Sequence, residues 1–296
     1  MVVRALHWIF RRIFVTLIST AKRILCARRC HEEIQIPQIG LGVYKMEAGD
    51  EMNNAIGASW DAGYRLFDTA QMYRNEAALG DALKFNQIPR DEIFLISKVD
   101  NSNQWYQPTL DSLQESLKKL QTSYLDSFLI HWPGQNKERM LSTWQAMEHA
   151  LEQGLVRSIG ICNFEVSQLE FLLDHCKIAP MINQIEHNPL MHDEALLSFC
   201  NKHSIQIIAW APLLRGNFGT DTIPKLAEKY GKTEAQILLR WNIQQGIIPI
   251  PKSKNPGRLA QNIDVFDFLL EPADIELLNS MNENRRTSHD PLTFDF

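Results

Sequence analysis

The segment GYRLFDTAQMYRNE, residues 63–76, places an aspartate and a tyrosine at a spacing that suits proton transfer. Asp68 ends a short apolar run, and Tyr73 follows five residues later, in what should be the loop beyond a strand. A carboxylate where a strand ends and a phenol in the next loop can begin an acid–base site. The rest of the chain must then supply their partners.

Two further residues are candidates for those partners. Lys98 follows FLIS and His131 follows DSFLI, so both stand at the ends of apolar runs. A lysine that leaves a buried strand needs a partner, and the carboxylate of Asp68 could supply it. A cation near Tyr73 would lower the pKa of its phenol, which would help the phenol to donate a proton near neutral pH. His131 could hydrogen-bond a substrate oxygen and orient it.

Other kinds of site fit these residues less well. No serine or cysteine is placed with a base, as a nucleophile triad requires. Only one strand-end aspartate is present and it pairs with a lysine, whereas glycosidases use two carboxylates. Cys26, Cys30 and His31 could suggest a zinc site, but structural zinc takes four ligands and no second pair lies nearby. The sequence therefore predicts a general acid with its tuning groups, and no metal.

Short apolar runs alternate with amphipathic segments of helical period from Ile36 onward. The runs cover residues 39–44, 64–68, 92–98, 124–131, 156–162, 181–186, 205–210 and 246–251. Eight repeats of strand and helix predict an α/β protein whose parallel sheet closes into a (β/α)8 TIM barrel. A doubly wound sheet is the alternative, but such a fold typically carries a GxGxxG fingerprint after an early strand, and this sequence has none.

Polar or aromatic residues stand at the ends of these eight runs: Tyr44, Asp68, Lys98, His131, Asn163, Gln184, Trp210 and Lys252. Because the chemistry of such barrels lies at the carboxyl ends of the strands, we expect these side chains on one rim. The amides of Asn163 and Gln184 suit a carboxamide, and Trp210 offers a flat face for stacking. An acid that protonates a carbonyl oxygen also needs a donor for the carbon, and these residues indicate a nicotinamide.

The last apolar run leads into IPIPKSKNPGRLAQN, residues 248–262. Lys252, Ser253 and Arg258 could bind a phosphate in the loop and first helical turn after the last strand. This is the usual phosphate corner of (β/α)8 barrels.

Composition narrows the class of protein. The chain has 296 residues, 45% hydrophobic and 22% charged, which is typical of a globular protein with a large core. A net charge of −5 argues against nucleic-acid binding, since no basic excess is available to neutralise phosphates. Five cysteines at irregular spacing do not form a disulfide framework.

Residues 1–33 differ in composition from the rest, because residues 1–31 hold seven basic residues and no acid. Apolar residues recur there at helical spacing, but the uncharged run is too short to span a bilayer. We predict a basic amphipathic extension that is a targeting segment, a weak membrane-surface contact through residues 1–30, or disordered. Residues 34–296 form the barrel domain. The expected location is cytoplasmic, with organelle targeting or membrane association as the alternative.

Several motifs together resemble the aldo-keto reductase family. They are GYRLFDTAQMYRNEAALG, IFLISKV, YLDSFLIHWP, GLVRSIGICNF, INQIEHNP and IPIPKSKNPGRLAQN, and they extend from about Ile36 to the end of the chain. The short tail ending in PLTFDF is similar to the bacterial branch of 2,5-diketo-D-gluconate and methylglyoxal reductases. The resemblance implies reduction of small aldehydes or ketones with NADPH, by a monomer. A cofactor-binding module of the same fold with little turnover is the alternative.

The resemblance also assigns roles to residues. It implies a catalytic tetrad of Asp68, Tyr73, Lys98 and His131, in which Tyr73 donates the proton and His131 orients the carbonyl. The implied NADPH/NADP+ contacts are Cys162, Asn163, Gln184, Trp210, Pro212, Leu213, Lys252, Ser253, Arg258, Gln261 and Asn262. The implied substrate contacts are Tyr44, His131 and Trp132.

Three residues depart from the family's pattern. Cys162 stands where a serine is usual, and a thiol is the weaker hydrogen-bond donor. Trp210 replaces a commoner tyrosine and should still stack on a ring. Asp100 stands where many members have a tryptophan, which removes an apolar wall and would admit more polar substrates.

Overall fold

The computed structural model describes residues 26–30, 34–218 and 221–296. A two-stranded antiparallel sheet comes first, in which β1 (Cys26–Cys30) pairs with β2 (Ile34–Pro37). Strand β1 belongs to the segment that we assigned to the extension, and the boundary at residue 33 stays a prediction. The amphipathic helix predicted before β1, residue His31 and the side chains of Cys26 and Cys30 lie outside the described residues.

In the described part of the chain, eight parallel strands follow in one sheet, in the order in which they occur along the sequence. They are β3 (Leu41–Gly42), β4 (Leu66–Asp68), β5 (Phe94–Val99), β6 (Ser127–Ile130), β7 (Ile159–Cys162), β8 (Ile182–Glu186), β9 (Gln206–Trp210) and β10 (Ile248–Pro249). Each strand overlaps one of the eight apolar runs. The predicted order of strands and the parallel sheet are therefore confirmed.

Two backbone hydrogen bonds join the first and last strands of this sheet. Gly40 N donates to Pro249 O at 3.0 Å, and Gly42 N donates to Pro251 O at 3.2 Å. A Cβ atom at Gly40 would lie 2.2 Å from Leu66 Cδ2, so a larger residue at this seam would have to displace the Leu66 side chain. These bonds close the sheet, and the predicted (β/α)8 barrel is confirmed.

Helices connect the strands and cover the barrel. They span Asp50–Ala62, Glu76–Phe85, Tyr106–Lys119, Lys137–Glu152, Val166–His175, Glu194–Lys202, Thr222–Tyr230, Glu234–Gln244, Pro256–Ile263 and Pro272–Asn279. Local signals set several of their ends: Thr233 and Gln236 form a capping box, and Asn255 caps the helix that Pro256 begins. None of the helices described is long and apolar enough to cross a membrane.

Two apolar layers hold the barrel together. Ile96, Leu129, Ile182 and Ile208 pack with one another in one buried cluster. A larger cluster joins side chains of the sheet to those of the surrounding helices. Since successive residues of a strand point to opposite faces, both faces of the sheet are buried, as expected for a parallel barrel. Two of the buried polar side chains within the strands make hydrogen bonds: Ser97 Oγ donates to Glu76 at 2.6 Å, and Asn183 Nδ2 donates to Phe164 O at 2.9 Å.

Candidate active site

An ion pair between Asp68 and Lys98 lies at the centre of the site. Asp68 ends β4, and the neighbouring β5 carries Lys98 two residues beyond Ile96, the residue opposite Asp68. Lys98 Nζ lies 2.7 Å from Asp68 Oδ1, and both side chains are almost fully buried. Burial is the largest single effect and would lower the pKa of Lys98, but Asp68, Tyr73 and Cys162 together outweigh it and the pKa is raised. The ammonium therefore stays charged.

Tyr73 lies in the short helical turn Gln71–Tyr73 after β4, beside the ion pair. Lys98 Nζ lies 3.4 Å from Tyr73 Oη. The phenol ring lies 4.9 Å from the ring of Tyr44 and 5.6 Å from that of His131, measured between centroids.

The expected lowering of the Tyr73 pKa is wrong. Burial raises the pKa of the phenol, and this effect exceeds the opposing effect of the Lys98 charge. The phenol therefore holds its proton at neutral pH. Lys98 stabilises the deprotonated form of Tyr73 instead, because its positive charge favours the phenolate that remains once the proton has left.

His131 directly follows β6 and faces the phenol edge-on, with 75° between the ring planes. Burial lowers its pKa well below the ordinary value, and the charge of Lys98 lowers it further. The imidazole is therefore neutral at physiological pH. Its Nδ1 atom is buried and has no hydrogen-bond partner among the described residues.

Asn163 follows β7 and Trp210 ends β9, as predicted, whereas Gln184 lies in the middle of β8, beside the ion pair. Gln184 Nε2 donates to Asp68 Oδ2 at 2.7 Å, which occupies the second oxygen of that carboxylate. Asn163 Nδ2 donates to the backbone oxygen of His131 at 3.1 Å, and Trp210 Nε1 donates to Asn163 Oδ1 at 2.9 Å. One network of hydrogen bonds thus extends from the ion pair to the indole.

Cys162 fills the space between the two amides. Its Sγ lies 3.2 Å from Asn163 Nδ2 and 3.8 Å from Gln184 Oε1. Burial raises the pKa of the thiol, so it stays protonated. Among the described residues the weak thiol contact is all that Gln184 Oε1 has, which leaves this oxygen free to accept a hydrogen bond from a carboxamide.

Sequence reasoning missed the residues that cover Trp132. This buried indole follows His131, and its ring contacts those of Phe294 at 5.0 Å and His289 at 5.9 Å between centroids. The rings of His289 and Phe294 stack on each other at 4.2 Å. The C-terminal tail therefore forms a wall beside the site. Its aromatic residues were the signal in the sequence, but nothing local showed where they would pack.

The predicted phosphate residues lie in the loop and helix after β10. Ser253 is buried, whereas Lys252 and Arg258 are exposed. Asn255 Oδ1 accepts from Arg258 N at 3.0 Å, and Asn255 N donates to Ser253 Oγ at 3.2 Å. These bonds fix the loop to the first turn of Pro256–Ile263, where backbone N–H groups favour an anion.

The other predicted cofactor residues flank this region. Pro212 is buried and Leu213 half-buried after β9, while Gln261 is exposed and Asn262 buried on the helix Pro256–Ile263. Direct contacts link the tetrad and the two amides to one another. In the described part of the chain, no hydrogen bond or ion pair joins the phosphate residues to the tetrad.

Fold and site together define a class of protein: a (β/α)8 barrel with a protonated phenol beside a buried lysine–aspartate pair at its rim. The chain belongs to the aldo/keto reductase family, whose sequence model matches residues 38–283. The resemblance noted from the motifs is thereby confirmed.

Individual relatives cover nearly the whole barrel. The chain is 39% identical to glyoxal reductase of Bacillus subtilis, over 89% of this chain and 95% of that protein. It is 41% identical to methylglyoxal reductase DkgA of Salmonella typhimurium, over 88% of this chain and 94% of that protein. A mutant of Gox0644 solved in complex with NADPH is 39% identical, with a TM-score of 0.85 over 90% of this chain and 97% of that chain.

Proposed function

We propose that this protein reduces small aldehydes and ketones to alcohols, with NADPH as the reductant and Tyr73 as the proton donor. The observation that carries the proposal is the phenol of Tyr73 at 3.4 Å from Lys98, whose charge Asp68 maintains at 2.7 Å. Membership of the aldo/keto reductase family supports it, as do relatives named for the reduction of glyoxal and methylglyoxal.

The residues at the rim fit a nicotinamide dinucleotide. Gln184 Oε1 has an unused acceptor position for a carboxamide N–H. The indole of Trp210 is held in place by Asn163 and offers its face to a ring. When bound, NADPH supplies a hydride to the carbonyl carbon, and these residues hold the nicotinamide end.

The phosphate end fits the same dinucleotide. Lys252, Ser253 and Arg258 would bind the 2′-phosphate, which distinguishes NADPH from NADH. Pro212, Leu213, Gln261 and Asn262 would line the path between the two ends.

The chain's own residues handle the proton. Tyr73 holds it at Oη until a carbonyl oxygen becomes basic enough to take it, and Lys98 then stabilises the phenolate. Asp68 keeps Lys98 charged, and Gln184 fixes the carboxylate in position. His131 is neutral, so it can hydrogen-bond the same oxygen without competing for the proton.

Tyr44, Trp132 and His131 would form the substrate pocket with the C-terminal tail. Tyr44 is 49% exposed, so the mouth of the site is open to solvent on its side. Small dicarbonyls such as glyoxal and methylglyoxal are the first candidates, because relatives of this chain are named for them.

The test is NADPH oxidation by a panel of small aldehydes that includes methylglyoxal. We expect turnover by the wild type and a loss of about 10²- to 10⁴-fold in kcat for Tyr73→Phe, the usual contribution of general acid catalysis. Binding of NADPH, followed by tryptophan fluorescence, should be unchanged in the variant and is the control for folding. Equal rates for the two proteins across the panel would overturn the proposal. NADPH binding without turnover would favour the cofactor-binding module instead.

We further propose a cytoplasmic monomer, as the default for this family resemblance. Weak membrane contact through residues 1–30 remains a prediction that falls largely outside the described residues. Sedimentation with and without anionic vesicles would test the monomeric state and the membrane contact, and cell fractionation would test the location.

A further inference from the structure

We propose that Glu51 and Lys254 form a charge pair that sets how strongly the protein prefers a dinucleotide with a 2′-phosphate. In this proposal Lys254 is a third cation of the phosphate site, and Glu51 is a carboxylate that competes with the phosphate for it. The inference rests on the proposed function, since it concerns the NADPH site assigned above.

The pair joins two segments from opposite ends of the barrel sequence. Lys254 Nζ lies 2.5 Å from Glu51 Oε2, across a separation of 203 residues. Glu51 lies in the first turn of the helix Asp50–Ala62, and its Oε1 accepts a hydrogen bond from Glu47 N at 3.2 Å. The carboxylate is thus held from two sides and directed at the loop after β10.

The position of Lys254 places its charge within the phosphate loop. Lys254 lies between Ser253 and Asn255, whose hydrogen bond to each other at 3.2 Å fixes the loop against the helix start. Lys252 and Arg258, the cations predicted to bind the phosphate, make no ion pair with any residue in the described ranges. In the free protein, therefore, one of three neighbouring cations is neutralised and two are not.

Glu51 interacts with Lys252 as well as with Lys254. Its pKa is lowered by the hydrogen bond from Lys254, by the backbone N–H of Glu47 and, through charge alone, by Lys252. The carboxylate thus lies within electrostatic reach of both lysines. A phosphate bound between them would be repelled by it.

The chemistry of the ligand makes this repulsion selective. A phosphate monoester carries about 1.5 to 2 negative charges at neutral pH, and NADH has a neutral hydroxyl at the same position. The Lys254 side chain is 57% exposed and that of Glu51 20% exposed, and exposed ion pairs are weakly held. Lys254 can therefore leave the carboxylate and bind the phosphate at little cost in free energy. Competition from Glu51 lowers the affinity for NADPH that results.

The experiment measures the dissociation constants of NADPH and NADH by tryptophan fluorescence. For Glu51→Gln we expect NADPH to bind about three- to tenfold more tightly, and for Lys254→Met about three- to tenfold more weakly. The affinity for NADH should change by less than about twofold in either variant. Both effects should shrink when the ionic strength rises, because salt screens exposed charges.

Two controls separate this inference from the proposed function. Glu115→Gln removes an exposed glutamate from the helix Tyr106–Lys119 and should leave both constants unchanged. Arg258→Ala should weaken NADPH binding and spare NADH. Suppose that Arg258→Ala weakens NADPH binding alone, as expected. If Glu51→Gln then changes neither dissociation constant, or changes both equally, the inference about the pair is overturned and the proposed function stands. If Arg258→Ala weakens both cofactors equally, or neither cofactor binds the wild type, the assigned phosphate site fails and the inference fails with it.

Discussion

Every donor and acceptor atom of the buried Asp68–Lys98 ion pair has a hydrogen-bond partner. An ammonium has three N–H donors, and Lys98 Nζ has three acceptors: Asp68 Oδ1 at 2.7 Å, Thr69 O at 2.9 Å and Tyr73 Oη at 3.4 Å. Gln184 occupies the remaining oxygen of Asp68 at 2.7 Å. Such a pair contributes little stability compared with apolar packing, but removing one partner leaves a buried charge unpaired. The same residues therefore serve catalysis and make the fold depend on both charges.

Lys98→Met should impair both roles, and adding Asp68→Asn should separate them. We expect the free energy of unfolding to fall by about 3–5 kcal/mol, because Asp68 is left as an unpaired buried charge. Reductase activity should be lost as well, since the phenolate of Tyr73 is no longer stabilised. Adding Asp68→Asn should restore part of the stability and none of the activity. Urea denaturation of the three proteins checks this, and a single variant as stable as the wild type would contradict it.

The element that most affects the pocket is the C-terminal tail, residues 287–296. Thr287 N and Oγ donate to the buried carboxylate of Glu186 at the end of β8. Further on, Arg139 Nη2 lies 3.0 Å from Asp295 Oδ1, and Arg139 Nη1 donates to Phe296 O at 2.6 Å. Between these two anchors, His289 and Phe294 of the tail make edge-type ring contacts with Trp132. The helix Lys137–Glu152 therefore positions part of the pocket through Arg139.

Arg139→Leu should release the far end of the tail while Glu186 still holds its start. We expect the KM for methylglyoxal to rise by about three- to tenfold with a smaller change in kcat, because the wall of the pocket is lost and the tetrad is intact. Asp295→Asn should have a similar but smaller effect. The double variant should be no worse than Arg139→Leu alone, since the two residues act through one contact. Carboxypeptidase digestion of the tail, with and without NADPH, provides a readout independent of activity.

At the scale of the whole molecule, buried histidines link the barrel's stability to pH. His187 follows β8, is fully buried and stacks on Trp241 with ring centroids 4.7 Å apart. Its Nδ1 pairs with Asn242 Oδ1 at 2.9 Å, and its Nε2 has no partner among the described residues. The pKa of His187 is lowered to about 3, mainly by burial. The Asn242 hydrogen bond opposes this effect, and the nearby His192 adds to it. The folded barrel thus excludes a proton that the unfolded chain accepts.

The sign of the pH effect follows from that difference. The unfolded chain binds the proton below its ordinary pKa of about 6.5, and the fold resists it until about 3, so stability is complete above pH 6.5 and declines through this window. The loss amounts to a few kcal/mol at most for one such group. We expect the melting temperature to fall more steeply below about pH 6.5 in the wild type than in His187→Gln. Calorimetry between about pH 3 and pH 7 would test this prediction. Parallel curves of melting temperature against pH for the two proteins would contradict it.

The architecture and most polar residues of the rim could be predicted from the sequence alone. Periodicity is a local property, so eight apolar runs and their helices could be read from short windows. Asp68, Lys98, His131, Asn163 and Trp210 followed from their places at or near the strand ends, whereas Gln184 lies within β8. The parallel neighbours of a barrel then brought Asp68 to Lys98 without further information.

Features that depend on burial or on contacts between distant segments could be seen only in the tertiary structure. The net direction of the Tyr73 pKa depends on how far desolvation exceeds the charge of Lys98, and no spacing in the sequence encodes that balance. The pairing of Glu51 with Lys254 and the packing of Phe294 on Trp132 join segments far apart in the chain. Such contacts have no local signature, because they arise only once the barrel has folded and brought distant segments together.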